Sequence, residues 1–216
     1  MNSLVIIGAG GFGREVLAWS AAGQPDWRIK GFLDDNPSAL GDTAPGVPIL
    51  GPIDGYEPAA DDVFLCAVGR PALRRSLSEK LKARGGRFAT LVHPTALIAD
   101  RAKLEAGVIV CPFALVSVDA RVEEGAVIYY HSSLDHDVVV GRWCQISAHC
   151  DVTGAAALGA EVFLGSHAAI MPGVRVGDRA VVGAGAVVIA DVNPGATVAG
   201  VPAREVGNLS RRPPAG

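Results

Sequence analysis

From Val92 to Val188 an aliphatic side chain returns at every sixth position. The series runs Val92, Ile98, Leu104, Val110, Val116, Val122, Ile128, Leu134 and Val140, then Ile146, Val152, Leu158, Leu164, Ile170, Val176, Val182 and Val188. Chance would give such a run with odds on the order of 10⁻¹⁰. From Ile98 onward, the residue two positions before each aliphatic is never larger than valine, as at Ala96, Ala120, Ser132, Cys144, Cys150 and Ala186. A period of six predicts short strands, each with one large and one small inward residue. Three such sides close an 18-residue triangular turn, and turns stack roughly 4.8 Å apart, about five in this stretch. Gly141, Gly159, Gly165, Gly177 and Gly183 directly follow the aliphatic, where a missing side chain is expected to ease the bend.

Before Phe88 the pattern changes to buried runs alternating with amphipathic ones. "LVIIGAGGFGREVLAW" reads as strand, glycine turn and helix, and "IKGFLDDN" as the next strand. "DVFLCAVG" is a third strand, "PALRRSLSEKLKARGG" a helix, and "FATLV" a fourth strand leading into the coils. The expected fold is an α/β Rossmann-like head over 1–88, all-β coils over 89–206 and a mobile tail over 207–216. Gly8, Gly10 and Gly13 fit GxGxxG, with Gly11 inside the same turn, and Asp34 and Asp35 close the second strand. Such a turn is either a bare glycine corner or a phosphate cradle at a helix N-terminus with a carboxylate for ribose. The strand–turn–helix context and the acidic pair favour a nucleotide. Four strands are half a doubly wound domain, which argues against a nicotinamide dehydrogenase. Arg70, at a strand end, is equally a phosphate contact or a surface side chain.

Composition narrows the classes. Aromatic residues make up 6% of the chain, so the core is built from aliphatic side chains. A net charge of -3 gives no reason to expect nucleic acid, and no apolar run is long enough to span a membrane. The N-terminus lacks the features of a signal peptide, and the four cysteines form no CxxC pair, so a reducing cytoplasm and buried thiols are expected. His131, His149 and His167 stand one turn apart and should form a ladder on one outward face. That ladder is either an interface or surface stack, or a ligand-binding face. His136, flanked by Asp135 and Asp137, lies in another phase of the coil. It is either a solvated turn residue or an imidazole–carboxylate base.

Head with "GAGGFGREV" and "DD", hexapeptide coils and a closing "GVPA" come in an order that resembles bacterial sugar acetyltransferases of the left-handed parallel β-helix superfamily. The nearest group N-acetylates nucleotide-linked amino sugars, and related members O-acetylate sialic acid. The resemblance implies acetyl-CoA as co-substrate, no metal, and a homotrimer with sites between subunits. It implies His136 as general base supported by Asp137, and Gly154 as the backbone donor to the thioester carbonyl. It places the pantetheine arm near Ser166 and Ala184, the adenine near Val201 and Pro202, and the substrate nucleotide at Gly8, Gly10, Gly11, Asp34 and Asp35. Some members carry a second histidine where this chain has Gln145, so a proton-handling role there is not implied. Carbonic anhydrases on the same kind of coil bind zinc through three histidines. Here His131 and His167 give the first spacing, but Pro172 stands where the third would be. The readings left open are amine acetylation, sugar O-acetylation and a non-enzymatic nucleotide-sugar-binding trimer.

Overall fold

The computed structural model describes residues 2–23, 27–43 and 46–207. Of the tail expected over 207–216, all but Gly207 lies outside the described residues. The head is a parallel sheet of β1 (Asn2–Ile7), β2 (Trp27–Leu33), β3 (Ile49–Gly51), β4 (Asp62–Cys66) and β5 (Arg87–Phe88), in the order β3-β2-β1-β4-β5. Helices α1 (Gly11–Gly23) and α2 (Pro71–Lys82) make the crossovers from β1 to β2 and from β4 to β5. Leu4, Val5, Ile6 and Ile7 are wholly buried, because a central parallel strand is covered on both faces. Strand order reverses between β1 and β4, so the turns after them flank the switch point where open α/β sheets bind ligands.

Two sequence expectations change. The sheet has five strands rather than four; β3 is only three residues long and carries no alternation that would announce it. "FATLV" is also two elements. Phe88 ends the head sheet, and Leu91–Val92 is the first strand of the coils.

The coils form three parallel stacks of strands, nearly all two residues long. Partners in neighbouring turns are eighteen positions apart, as in Val127↔Gln145, Ser133↔Asp151 and Val139↔Ala157. The first face carries Leu91–Val92, Ile109–Val110, Val127–Ile128, Gln145–Ile146 and onward to Thr197–Ala199; the second starts at Leu97–Ile98 and the third at Lys103–Leu104. Each sixth-position aliphatic and its small companion point inward, forming one continuous core from Val108 to Val198. Corners turn through a left-handed residue, and eleven of these are not glycine, among them His131, Asp137, Trp143, His149 and His167. The glycines after the aliphatics have a different reason from the expected bend. A Cβ on Gly141 would lie 2.5 Å from Gly159 O, on Gly159 2.2 Å from Asp178 Oδ1 and 2.7 Å from its backbone N, and on Gly177 2.5 Å from Pro194 N. The next turn's backbone occupies the space a side chain would fill.

The head packs on the outward residues of the first face: Leu91, Ile109 and Val127 join Leu4, Ile6, Val16 and Phe32 in one cluster. Helix α2 lies along the edge between the third and first faces. Arg75 pairs with Glu161 at 2.6 Å, Lys82 pairs with Glu124, and the Lys82 ammonium sits 5.4 Å from the Trp143 ring centre. Between them Arg74, 1% exposed, drives its guanidinium into the junction. Its N–H groups donate to Gly125 O (2.9 Å), Val68 O (2.6 Å), Gln145 Oε1 (2.9 Å), Trp143 O and Cys144 O (both 2.8 Å). Five donors meet five neutral acceptors. Burial with no carboxylate partner pulls the Arg74 pKa down to about 10, still far above neutrality, so the group stays charged.

Gly141→Val tests the stacking directly, since its Cβ would collide with the backbone of Gly159 and Ala160 rather than a flexible side chain. It is expected to cost roughly 1–3 kcal/mol and to lower the denaturation midpoint measured by circular dichroism. An unchanged midpoint would remove close approach as the reason for glycine there.

Candidate functional site

His136 and Asp137 occupy the corner between the second and third faces. That edge lies across the prism from the face carrying the head. His136 is the first turn residue and Asp137 the left-handed one, with φ 62°. This corner geometry throws both side chains outward, at 63% and 60% exposure, and brings His136 Nδ1 to 2.9 Å from Asp137 Oδ2. A carboxylate only accepts, so it holds the tautomer with the proton on Nδ1 and leaves the Nε2 lone pair free. One turn on, Gly154 lies beneath the ring. A Cβ built on it would sit 2.7 Å from His136 Nε2 and 2.8 Å from Cε1. The Gly154 N–H makes no hydrogen bond within the protein among the described residues. A free imidazole lone pair and a free backbone donor therefore share one edge. Val118, Met171 and Ile189 leave apolar surface exposed along that edge, at 37%, 40% and 53%.

Other expected positions lie elsewhere. Ser166 and Ala184 are turn residues of the corner between the first and second faces, so a single chain does not bring them beside Gly154. Val201, 73% exposed, and Pro202 belong to the closing segment, which is bonded over the second face through Val187 N–H to Gly200 O and Ala203 N–H to Val187 O. On the head, Gly8 has φ +93°, and a Cβ there would meet Ala67 O at 3.1 Å; one on Gly13 would strike Gly8 O at 2.0 Å. These two glycines serve the strand–helix packing. Nothing lies within 4 Å of a Cβ on Gly10 or Gly11, so the α1 N-terminus is open to a ligand. Asp34 braces the turn from below, accepting Ala9 N–H at 2.8 Å and Asn36 N–H at 2.9 Å, while Asp35 accepts Ile53 N–H at 3.2 Å and stays exposed. Arg70 caps the start of α2 with an exposed side chain.

The three ladder histidines stack, with ring centres 5.0 and 4.8 Å apart and planes within 5°, and Phe113 continues the column. Parallel rings present faces to one another, which does not converge their nitrogens on one point. Among the described residues no group of three or more His, Cys, Asp or Glu could hold a metal ion. All four cysteines are buried and unpaired. Burial raises the thiol pKa of Cys66 and Cys150 to about 11 and of Cys144 to about 12, and pushes Cys111 well up, which makes all four poor nucleophiles.

Sequence reasoning did not find the cavity that opens beside the ladder. It holds about 200 Å³ and is lined by Tyr129, Tyr130, Gln145, Ser147, Ala148 and Ser166. Tyr129 also borders a shallow hollow against Gly11, Phe12, Arg14 and Trp19 of the head, and its hydroxyl donates to Glu15. The adjacent pair Tyr129-Tyr130, on a corner of the first face, was the available signal.

Residues 3–81 match the PglD N-terminal domain, and residues 156–190 match the bacterial transferase hexapeptide repeat. A curated relative, UDP-N-acetylbacillosamine N-acetyltransferase of Bacillus subtilis (strain 168), is 27% identical over 124 residues, a stretch covering 51% of each chain. The chain thus spans about half the length of that relative in the match. Among solved structures, the acetyltransferase domain of PglB from Neisseria gonorrhoeae FA1090 in complex with acetyl coenzyme A superposes with a TM-score of 0.87 at 29% identity, over 95% of this chain and 100% of that one. PerB from Caulobacter crescentus, in complex with CoA and GDP-perosamine, gives 0.84 at 28% identity over 96% and 98%. No helix among the described residues is long and apolar enough to cross a membrane. The chain thus resembles the PglD N-terminal domain at its head and the bacterial transferase hexapeptide repeat in its coils, and it shares the overall fold of these two structures.

Proposed function

We propose that the protein is an acetyl-CoA-dependent N-acetyltransferase acting on the amine of a nucleotide-linked amino sugar, with His136 as general base. One observation carries the reading: His136, oriented by Asp137, holds its free Nε2 directly over Gly154, whose N–H has no protein partner. His136 Nε2 takes a proton from the amine as nitrogen bonds to the thioester carbon. The oxyanion that develops accepts the Gly154 N–H. The C–S bond then breaks, the imidazolium returns its proton to the departing thiolate, and amide and free thiol result. A positioned base contributes roughly 10²–10⁴-fold and an oxyanion donor roughly 10²–10³-fold.

The same topology supports a homotrimer. The base and Gly154 stand on one edge of the prism, while the head, Ser166 and Ala184 stand on the opposite face and its far corner. A neighbouring copy that sets one edge against the other completes the site and covers the apolar strip of Val118, Met171 and Ile189. The pantetheine arm then runs along the coils past Ser166 and Ala184 toward Val201 and Pro202. The nucleotide sits at the open glycines Gly10 and Gly11 with Asp35 exposed nearby, on a turn formed by Gly8 and braced by Asp34. Four unpaired thiols fit a cytoplasmic setting. The relative that acetylates a UDP-linked sugar and the PerB structure with GDP-perosamine support an amine acceptor on a nucleotide.

Replacing His136 by Ala or Asn is expected to lower turnover roughly a hundredfold or more, with the oligomer intact by light scattering. Near-normal turnover would take His136 out of the base role. Gly154→Ala, which the backbone tolerates, displaces the ring and is expected to lower kcat by about tenfold or more at an unchanged melting temperature. Offered amino and hydroxyl sugars side by side, with nucleotide attached, the enzyme is expected to yield the amide; acetyl ester as the main product would make it an O-acetyltransferase. No acetyl-CoA binding by calorimetry would leave a nucleotide-sugar-binding trimer.

A further inference from the structure

Gln145 is 5% exposed, yet only half of its amide is used. Its Oε1 accepts from Arg74 Nη1 at 2.9 Å. A guanidinium has no acceptor, so the amide cannot be turned round without setting donor against donor. The other end, Nε2, makes no hydrogen bond within the protein among the described residues and borders the cavity of about 200 Å³. Arg74 is itself immobile, because its remaining donors are held by Gly125, Val68, Trp143 and Cys144 carbonyls. The cavity therefore receives two N–H donors in a fixed direction, from a group that does not titrate.

The rest of the lining has the same character. Ser147, Ser166 and Tyr130 present hydroxyls that make no protein hydrogen bond among the described residues, Tyr129 adds an aromatic ring, and none of the six side chains is charged at neutral pH. A phosphate would find no cation there, whereas a hydroxylated ring finds donors, acceptors and an aromatic face. Tyr129 lines both this cavity and the hollow that Gly11 borders at the start of α1, so a ligand with its phosphates at that turn lies one side chain away from the cavity.

Resting on the acetyltransferase reading, we propose that this cavity holds the sugar of the nucleotide-linked acceptor, that Gln145 Nε2 donates to one of its oxygens, and that Arg74 is the positioning residue that aims Gln145. Gln145→Glu isolates the claim. A carboxylate still accepts from Arg74, so the junction survives, but it offers the cavity no donor. Calorimetry of the intact protein with GDP-perosamine and UDP-linked 4-amino sugars, against bare GDP and UDP, is expected to show at least tenfold weaker binding of the sugar-bearing ligand. Bare nucleotide should bind within twofold of wild type, and the melting temperature should not fall. In turnover, KM for the sugar nucleotide rises while KM for acetyl-CoA holds. Arg74→Lys, which cannot reach all five acceptors, is expected to weaken the sugar-bearing ligand selectively as well. Equal loss for bare and sugar-bearing nucleotides in Arg74→Lys would make Arg74 a purely structural residue. Unchanged discrimination in Gln145→Glu, or a rise in KM for acetyl-CoA instead, would overturn the sugar site while leaving the acetyltransferase intact. Wild-type protein binding none of these sugar nucleotides would bring down both readings together.

Discussion

One guanidinium holds the two halves of the chain in register. The Arg74 side chain crosses from a head helix into the coils and ends among five oxygens, four of them backbone carbonyls from three separate segments. A charge taken out of water without a counterion is costly, and here dipoles alone offset that cost. Removing the side chain would strand several buried acceptors, each worth about 1–3 kcal/mol. The arrangement is thus all or nothing: the head sits on the first face in this orientation, or the cation has nowhere to go. Arg75 to Glu161, Lys82 to Glu124 and Tyr129 to Glu15 add contacts around the same seam. Being more exposed, the two ion pairs fix direction more than they add stability.

That seam determines where chemistry can happen. With the head fixed to one face, its glycine turn opens toward the corner that carries the tyrosines and the histidine stack. The imidazole–carboxylate couple stands on another edge, facing away. On the proposed reading, the chain supplies two half-sites that meet only across a contact between copies. The nucleotide is gripped by one copy and the proton is taken by the next. Rigid docking of head on coil is then a condition of catalysis, because any rocking of the head would move the acceptor relative to a base it does not share a chain with.

Much of this architecture could be read from the residues, and the failures have physical causes. Counting in sixes gave the inward residues from Val92 to Val188 and the equivalence of His131, His149 and His167, because a stacked coil repeats its environment every eighteen residues. The His136–Asp137 pairing followed from their adjacency at a corner. The strand Ile49–Gly51 was not legible, since three residues carry no period. Arg74 was less legible still: within "PALRRSLSEK" it looks like its neighbour Arg75, and only the tertiary junction buries one and exposes the other. The glycines after the aliphatics were noticed for the wrong reason. Their need comes from a turn eighteen residues away, which no local argument can see.

The two-residue strands carry a last consequence. A ladder locked at eighteen-residue steps lets nothing be inserted along a face without rotating everything beyond it onto the wrong side. Length can change only as a bulge at a corner or as a complete storey about 4.8 Å tall. The separation between Gly154 and the roof at Val201 is therefore graduated, like notches on a rule. On the proposed reading, in which an acyl carrier spans that separation, a relative suited to a longer or shorter carrier would have to differ from this chain by whole notches.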